Sequence, residues 1–125
     1  MIFNFPVDPV AKGRPRFGNG RTYTPRKTKD FETILKEMVR QQYKIGPMKD
    51  AISVLIVFTI KKPKTVKRDY PTVKPDVDNY IKSTLDALNG IAFIDDSQVI
   101  EIIASKKYGP VGSIFIDIKS YLHCE

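Results

Sequence analysis

Short apolar runs along this chain alternate with stretches in which apolar residues recur every third or fourth position. Ile2, Phe3 and Phe5 predict a short opening strand closed by Pro6 and Pro9. Thr24-Pro25 is a helix start, an N-cap followed by proline at the first helical position. Phe31, Ile34, Leu35, Met38 and Val39 then recur at helical spacing until Gly46-Pro47, and Phe31 and Met38 belong to the core on this reading. Ala51 to Ile60 is a continuous β-branched and aromatic run and predicts a strand buried on both faces. From Val77 to Asn89 the spacing predicts a second helix. Val77, Tyr80, Ile81, Thr84, Leu85 and Leu88 share one face of it, and Asp78, Lys82, Asp86 and Asn89 the other.

Asn89-Gly90 supplies a left-handed stop. Gln98 to Lys107 and Ser113 to Tyr121 predict two strands, joined as a hairpin through Gly109-Pro110-Val111-Gly112. The order β-α-β-α-β-β predicts an α+β fold: a single compact domain over residues 1–125, with a mixed sheet of about four strands and two packed helices. No repeat, linker or low-complexity tract interrupts it.

Two of the intervening polar segments are basic. Lys12 to Lys29 holds Lys12, Arg14, Arg16, Arg21, Arg26, Lys27 and Lys29 without one acid, with Phe17 and Tyr23 interleaved. Gly13, Pro15, Gly18 and Gly20 keep it from being helical. A flexible basic and aromatic arm suits phosphate contact with base or sugar stacking; the rival is a solvated loop that its aromatics anchor to the core. Lys61 to Lys74 carries Lys61, Lys62, Lys64, Lys67, Arg68 and Lys74 against the single acid Asp69, and its prolines predict an extended loop. Lys12, Arg14, Arg16, Arg21 and Lys74 are the candidates for nucleic-acid contact.

Composition sharpens the choice of partner. With 21 Lys+Arg against 14 Asp+Glu the net charge is +7, which points to a polyanion. One cysteine, Cys124 beside the lone His123, excludes an internal disulfide and is too little for a structural zinc site. The N-terminus lacks the pattern of a signal peptide, and the longest apolar run falls far short of a membrane span, so a soluble, cytoplasmic protein is expected.

Against that basic background, Asp76, Asp78, Asp95 and Asp96 gather at the two ends of the second predicted helix. Clustered carboxylates repel unless a cation lies between them, so the grouping suggests a divalent metal site. Taken singly, Asp78 also reads as a helix N-cap and Asp95-Asp96 as a turn before a strand, whereas Asp76 after Pro75 has no such role. Oxygen ligands without His or Cys select Mg²⁺ or Mn²⁺. Lys82, one helical turn after Asp78, either stabilises charge growing on a scissile phosphate or pairs with Asp78 or Asp86. The spacing alone leaves both open.

The motifs Lys74-Pro-Asp-Val-Asp-Asn79, Lys82, Leu85-Asp-Ala-Leu-Asn-Gly90 and Asp95-Asp-Ser-Gln-Val99 resemble the signature of the RusA family of Holliday-junction resolvases. Lys12-Gly-Arg-Pro-Arg-Phe17 and Arg21-Thr-Tyr-Thr-Pro25 resemble the amino-terminal segment of many members, so the likeness runs over nearly the whole chain. It implies a small homodimeric, Mg²⁺-dependent endonuclease that nicks four-way DNA junctions symmetrically. Asp76, Asp78 and Asp96 correspond to the metal-binding acids, Asp95 to their acidic neighbour, and Lys82 to the catalytic lysine. Two rivals share the composition: a non-catalytic binding module for branched or single-stranded nucleic acid, and a nuclease acting on flaps or RNA.

Overall fold

Inward-facing isoleucines and phenylalanines decide which strands stand in the middle of the sheet. The computed structural model describes residues 1–13, 16–18, 20–23 and 25–121, with the backbone alone for 16, 17 and 21–23. In chain order the elements are β1 (Ile2–Phe5), β2 (Arg16–Gly18), β3 (Arg21–Tyr23), α1 (Arg26–Gln42), β4 (Ile52–Lys61), α2 (Val77–Leu88), β5 (Val99–Gly109) and β6 (Ser113–Ser120). A 3-10 turn, Asp96–Gln98, leads into β5. Four strands form one mixed sheet in the order β1-β6-β4-β5, with β4 parallel to β5 and antiparallel to β6. Setting aside the small β2-β3 pair, this is the expected β-α-β-α-β-β arrangement with two helices.

The core lies on one side of the sheet. Phe3, Phe5, Ile52, Val54, Ile56, Phe58, Ile114, Ile116 and Ile118 point that way and are buried. They meet Phe31, Leu35 and Val39 of α1 and Tyr80, Leu85 and Leu88 of α2. Full burial of each such side chain is worth about 1.5–3 kcal/mol against leaving it exposed. Met38 packs at the margin of this cluster, as expected.

Four expectations need correction. First, β5 and β6 are not a hairpin: β6 lies between β1 and β4, and β5 is the outer strand. The reason is apolar content, since β6 buries three isoleucines on the helix side while most of β5 stays exposed. Second, β4 is buried on one face only, because both helices pack on the same side. Third, Arg26, Lys27 and Lys29 belong to the first turn of α1 rather than to a loop, the helix having Pro25 as its N-cap, and the arm before them folds in part into β2 and β3. Ile34 is the fourth: it faces solvent, because the buried stripe of α1 runs Thr28, Phe31, Leu35, Val39. Thr24, His123 and Cys124 lie outside the described residues.

Candidate functional site

At the start of α2 two carboxylates stand one residue apart in sequence, and their roles are the reverse of the expected ones. Asp76, not Asp78, is the N-cap, and Asp76 makes no side-chain capping bond. Among the described residues its exposed carboxylate has no partner. Asp78 sits in the first turn, its Oδ1 accepting the Asn79 N–H at 3.0 Å. A negative charge there is favoured by the helix dipole whatever else it does. The approach to this pair is fixed from the sheet: Lys106 Nζ donates to the Val73 and Pro75 carbonyls at 2.8 and 2.9 Å.

Lys106 escaped the sequence reading, yet a signal was present. On β5 the residues paired with inward-facing Val54, Ile56 and Phe58 are Ile102, Ala104 and Lys106. A lysine in the helix-facing phase of a strand calls for an acceptor on that side, and the loop before α2 provides two.

Farther along α2 a chain of alternating charges links four segments. Glu32 of α1 accepts from Lys12 Nζ at 2.7 Å, and Lys12 also meets Asp86 Oδ2 at 3.1 Å. The other oxygen of Asp86 pairs with Lys82 Nζ at 3.1 Å, and Lys82 reaches Asp96 Oδ2 at 3.8 Å. Lys82 therefore makes the i, i+4 pair with Asp86 and also leans toward the Asp95-Asp96 turn. Burial works against the Lys12 ammonium, but the hydrogen bonds with Glu32 and Asp86 outweigh it and raise its pKa above the ordinary lysine value.

The arm is fastened beside this chain through its backbone. Lys12 N donates to the Asn79 carbonyl at 2.9 Å, Gly13 N to Thr28 Oγ1 at 3.0 Å, and Ser83 Oγ to the Val10 carbonyl. A Cβ on Gly13 would come within 2.8 Å of the Pro25 ring, which is why glycine stands there.

Asp95 has a structural task. As N-cap of the 3-10 turn it accepts from Ser97 N at 3.1 Å, while its own N–H donates to Gln98 Oε1 at 2.9 Å, a complete capping box. The Ser97 bonds hold the Asp95 carboxyl below the usual carboxylate range. Gln98 Nε2 in turn donates to the Met48 and Asp50 carbonyls, tying the turn to the chain before β4. Asp96 keeps its carboxylate free for Lys82.

The structure thus brings Lys82 and Asp96 together, with Lys82 one helical turn along α2 from Asp78. Among the described residues no three carboxylate, histidine or cysteine side chains stand close enough to enclose an ion. Of the proposed DNA contacts, Lys12 is engaged by two carboxylates and Lys74 is exposed. Arg14 lies outside the described residues, as do the side chains of Arg16 and Arg21. Lys74 borders a cavity of about 150 Å³ shared with Lys61, Arg68, Tyr80 and Tyr108. Arg68 Nε donates to Tyr108 Oη at 3.0 Å, and Lys62 stands 5.8 Å over the Tyr108 ring. The basic loop before the acids is therefore seated against Tyr108 of β5 through Arg68 and Lys62.

The family model described as endodeoxyribonuclease RusA matches residues 6–119. The uncharacterized protein YqaN of Bacillus subtilis (strain 168) is 39% identical over 119 residues, covering 81% of this chain and 82% of that protein. No helix among the described residues is long and apolar enough to cross a membrane.

Proposed function

The chain belongs to the RusA family of endodeoxyribonucleases, and we propose that it resolves four-way DNA junctions by paired symmetric nicks, as a homodimer dependent on Mg²⁺, in recombination and repair. The observation that carries the reading is Asp76: an N-cap carboxylate without a partner among the described residues, beside Asp78 and at the end of the loop that Lys106 secures. Capping would give a structural reason for Asp76, and the capping bond is not made.

The donor set fits Mg²⁺ in kind. It is all oxygen, and Mg²⁺ is commonly held by one or two carboxylates with waters and substrate phosphates completing the shell. Asp76 and Asp78 would hold it, with Asp96 the further acid and Mn²⁺ a substitute. When bound, the cation supplies Lewis-acid stabilisation of the charge on the phosphate. Lys82 presents a second positive charge to the scissile phosphate, held in place by Asp86. Lys61, Arg68, Lys74 and the arm arginines orient the sugar-phosphate backbone, and Lys12 keeps the arm seated against α1 and α2.

The test is cleavage of a synthetic four-way junction with Mg²⁺ and with EDTA, using wild type, Asp76→Asn and Asp96→Asn. Each variant removes charge but little volume, so the fold should survive, junction binding should persist and cleavage should collapse. Nicking near the wild-type rate in either variant would end the metal-site reading. Binding without cleavage by the wild-type protein under all metal conditions would instead favour a non-catalytic module. Faster cutting of flaps than of junctions would reassign the substrate.

A further inference from the structure

The outermost strand of the sheet is also its longest. β5 runs for eleven residues and, among the described residues, pairs on one side only, with β4. The opposite edge is the four-residue β1. Long apolar edges invite pairing with another chain, and proteins that must avoid it shorten or charge them. Here Ile100, Ile102 and Ile103 are 56%, 42% and 58% exposed in one short stretch. We propose that β5 pairs antiparallel with β5 of a second copy of this chain, in the register that sets Glu101 opposite Lys107, making one continuous sheet across the dimer. The inference rests on the paired-site nuclease reading and names its interface.

Symmetry narrows the register. A two-fold axis perpendicular to the sheet keeps each face on its own side, so opposed residues must share a face and their numbers must sum to an even value. The pairing of β5 with β4 shows which residues those are. Glu101, Ile103, Ser105 and Lys107 lie with Ser53, Leu55, Val57 and Thr59 on the face away from the helices. Glu101 opposite Lys107 satisfies the condition, with the small Ala104 at the axis. Ile103 then meets Ser105, and Ile102 meets the stem of Lys106. Lys106 itself could not face Glu101 in this symmetry, because it lies on the helix side. Each interface would hold the Glu101–Lys107 pair twice, a self-complementary arrangement of charge.

The open face of the sheet is the competing surface. It has a shallow cavity of about 260 Å³ lined by Ser53, Leu55, Glu101, Ile103, Asp117 and Lys119. Stacking two copies there would bury the Asp117 and Lys119 charges and turn the helices of the two copies outward in opposite directions. Edge pairing satisfies the free backbone groups of β5 and keeps α2 of both copies, with Asp76, Asp78 and Lys82, on one side of the sheet. Paired cuts in a single junction need that disposition.

Dimer dissociation is measured by sedimentation over a dilution series without DNA, so the result does not depend on cleavage. Glu101→Lys and Lys107→Glu each replace two attractive cross-strand pairs with repulsive ones and should weaken the dimer about tenfold. Combining the two restores opposite charges and should return affinity to within about threefold of wild type. Unchanged dissociation in the single variants, a double variant no tighter than the singles, or a monomeric wild type overturns the proposal. So does a dimer broken by Leu55→Glu on the open face but indifferent to the β5 reversals. If the double variant does not fold, Ile102→Arg decides: tenfold weakening supports β5 pairing and unchanged affinity refutes it. A wild-type dimer that cuts junctions yet ignores the reversals defeats the interface alone. One that responds to them but never cuts defeats the nuclease reading alone.

Discussion

Replacing Asp86 with Asn removes one charge from the centre of the Glu32–Lys12–Asp86–Lys82–Asp96 chain while keeping its shape. Two ion pairs are affected, and they differ in weight. The Lys12–Asp86 pair is 3.1 Å apart with both side chains largely covered, at 24% and 20% exposure. Coulomb's law at an effective dielectric of about 20 gives roughly 5 kcal/mol for it before desolvation. Desolvation and side-chain ordering absorb most of that, and Lys12 keeps Glu32, leaving about 1–1.5 kcal/mol. The Lys82–Asp86 pair has its lysine 57% exposed, so it adds only about 0.3–0.5 kcal/mol. Together the loss is about 1.3–2 kcal/mol, or a fall in Tm of about 4–10 °C for a domain of this size. The assay is a double-mutant cycle of Asp86→Asn and Lys12→Met by thermal or urea unfolding. Coupling of about 1 kcal/mol is expected, little reduced by salt because the pair is sheltered. Coupling below about 0.3 kcal/mol, within the noise of additivity, refutes the claim that the pair seats the arm. Cleavage supplies an independent readout: freed from Asp86, Lys82 has only Asp96, so single-turnover rate should fall, though less than in Lys82→Ala.

Lys82→Ala should cost at most about 0.5 kcal/mol of stability and lower the single-turnover rate without weakening junction affinity; a melting shift with no rate defect would return Lys82 to a purely structural role. Lys106→Met should leave the core folded but loosen the loop at Val73 and Pro75, lowering cleavage with all the acids intact; an unchanged rate would show that the loop is positioned without it. The pKa of Lys12 is raised in the folded state by Glu32 and Asp86 after burial has opposed it, so its stabilisation is fully present below the ordinary lysine pKa and lost as pH rises through the higher folded value. Lys12→Met should therefore flatten the alkaline limb of the stability profile, and an unaltered limb would rule that linkage out. Replacing Arg14, Arg16 and Arg21 together should reduce the slope of log K against log salt by roughly 0.9 for each phosphate the variant no longer neutralises; the same slope as wild type would assign the arm to structure.

How much of this was legible in the sequence depended on whether the deciding interaction was local. Both helices and all four sheet strands were readable, because apolar period and breaker residues act within a few positions. Gly90, with φ +82°, ends the turn after α2 as Asn89-Gly90 suggested. Strand order was not readable that way. Gly109-Pro110-Val111-Gly112 is a credible hairpin connection, yet β6 inserts beside β4 because Ile114, Ile116 and Ile118 need cover on the helix side. That preference is satisfied by β4 and by the two helices, all distant in sequence, and no turn motif reports it. The small β2-β3 pair was hidden for another reason: three-residue strands among glycines carry no period to detect.

The site divides along the same line. Residue types and spacing singled out Asp76, Asp78, Lys82, Asp95 and Asp96, but not what each carboxylate is already doing. Asp95 and Asp76 are both N-caps by position, and of the two Asp95 accepts a capping bond while Asp76 makes none. That distinction turns on which N–H groups each side chain can reach. Asp86 presents the complementary case. In sequence it is one of several acids on the polar face of a helix, and i, i+4 spacing relates it to Lys82 alone. Its second partner, Lys12, is brought in by the backbone bond from Lys12 to Asn79 and by the glycine that lets the arm pass close to Pro25. A single carboxylate thereby links the seat of the arm to the lysine assigned to the phosphate. For that reason a defect in arm docking should appear first as a fall in cleavage rate, before any loss of junction affinity.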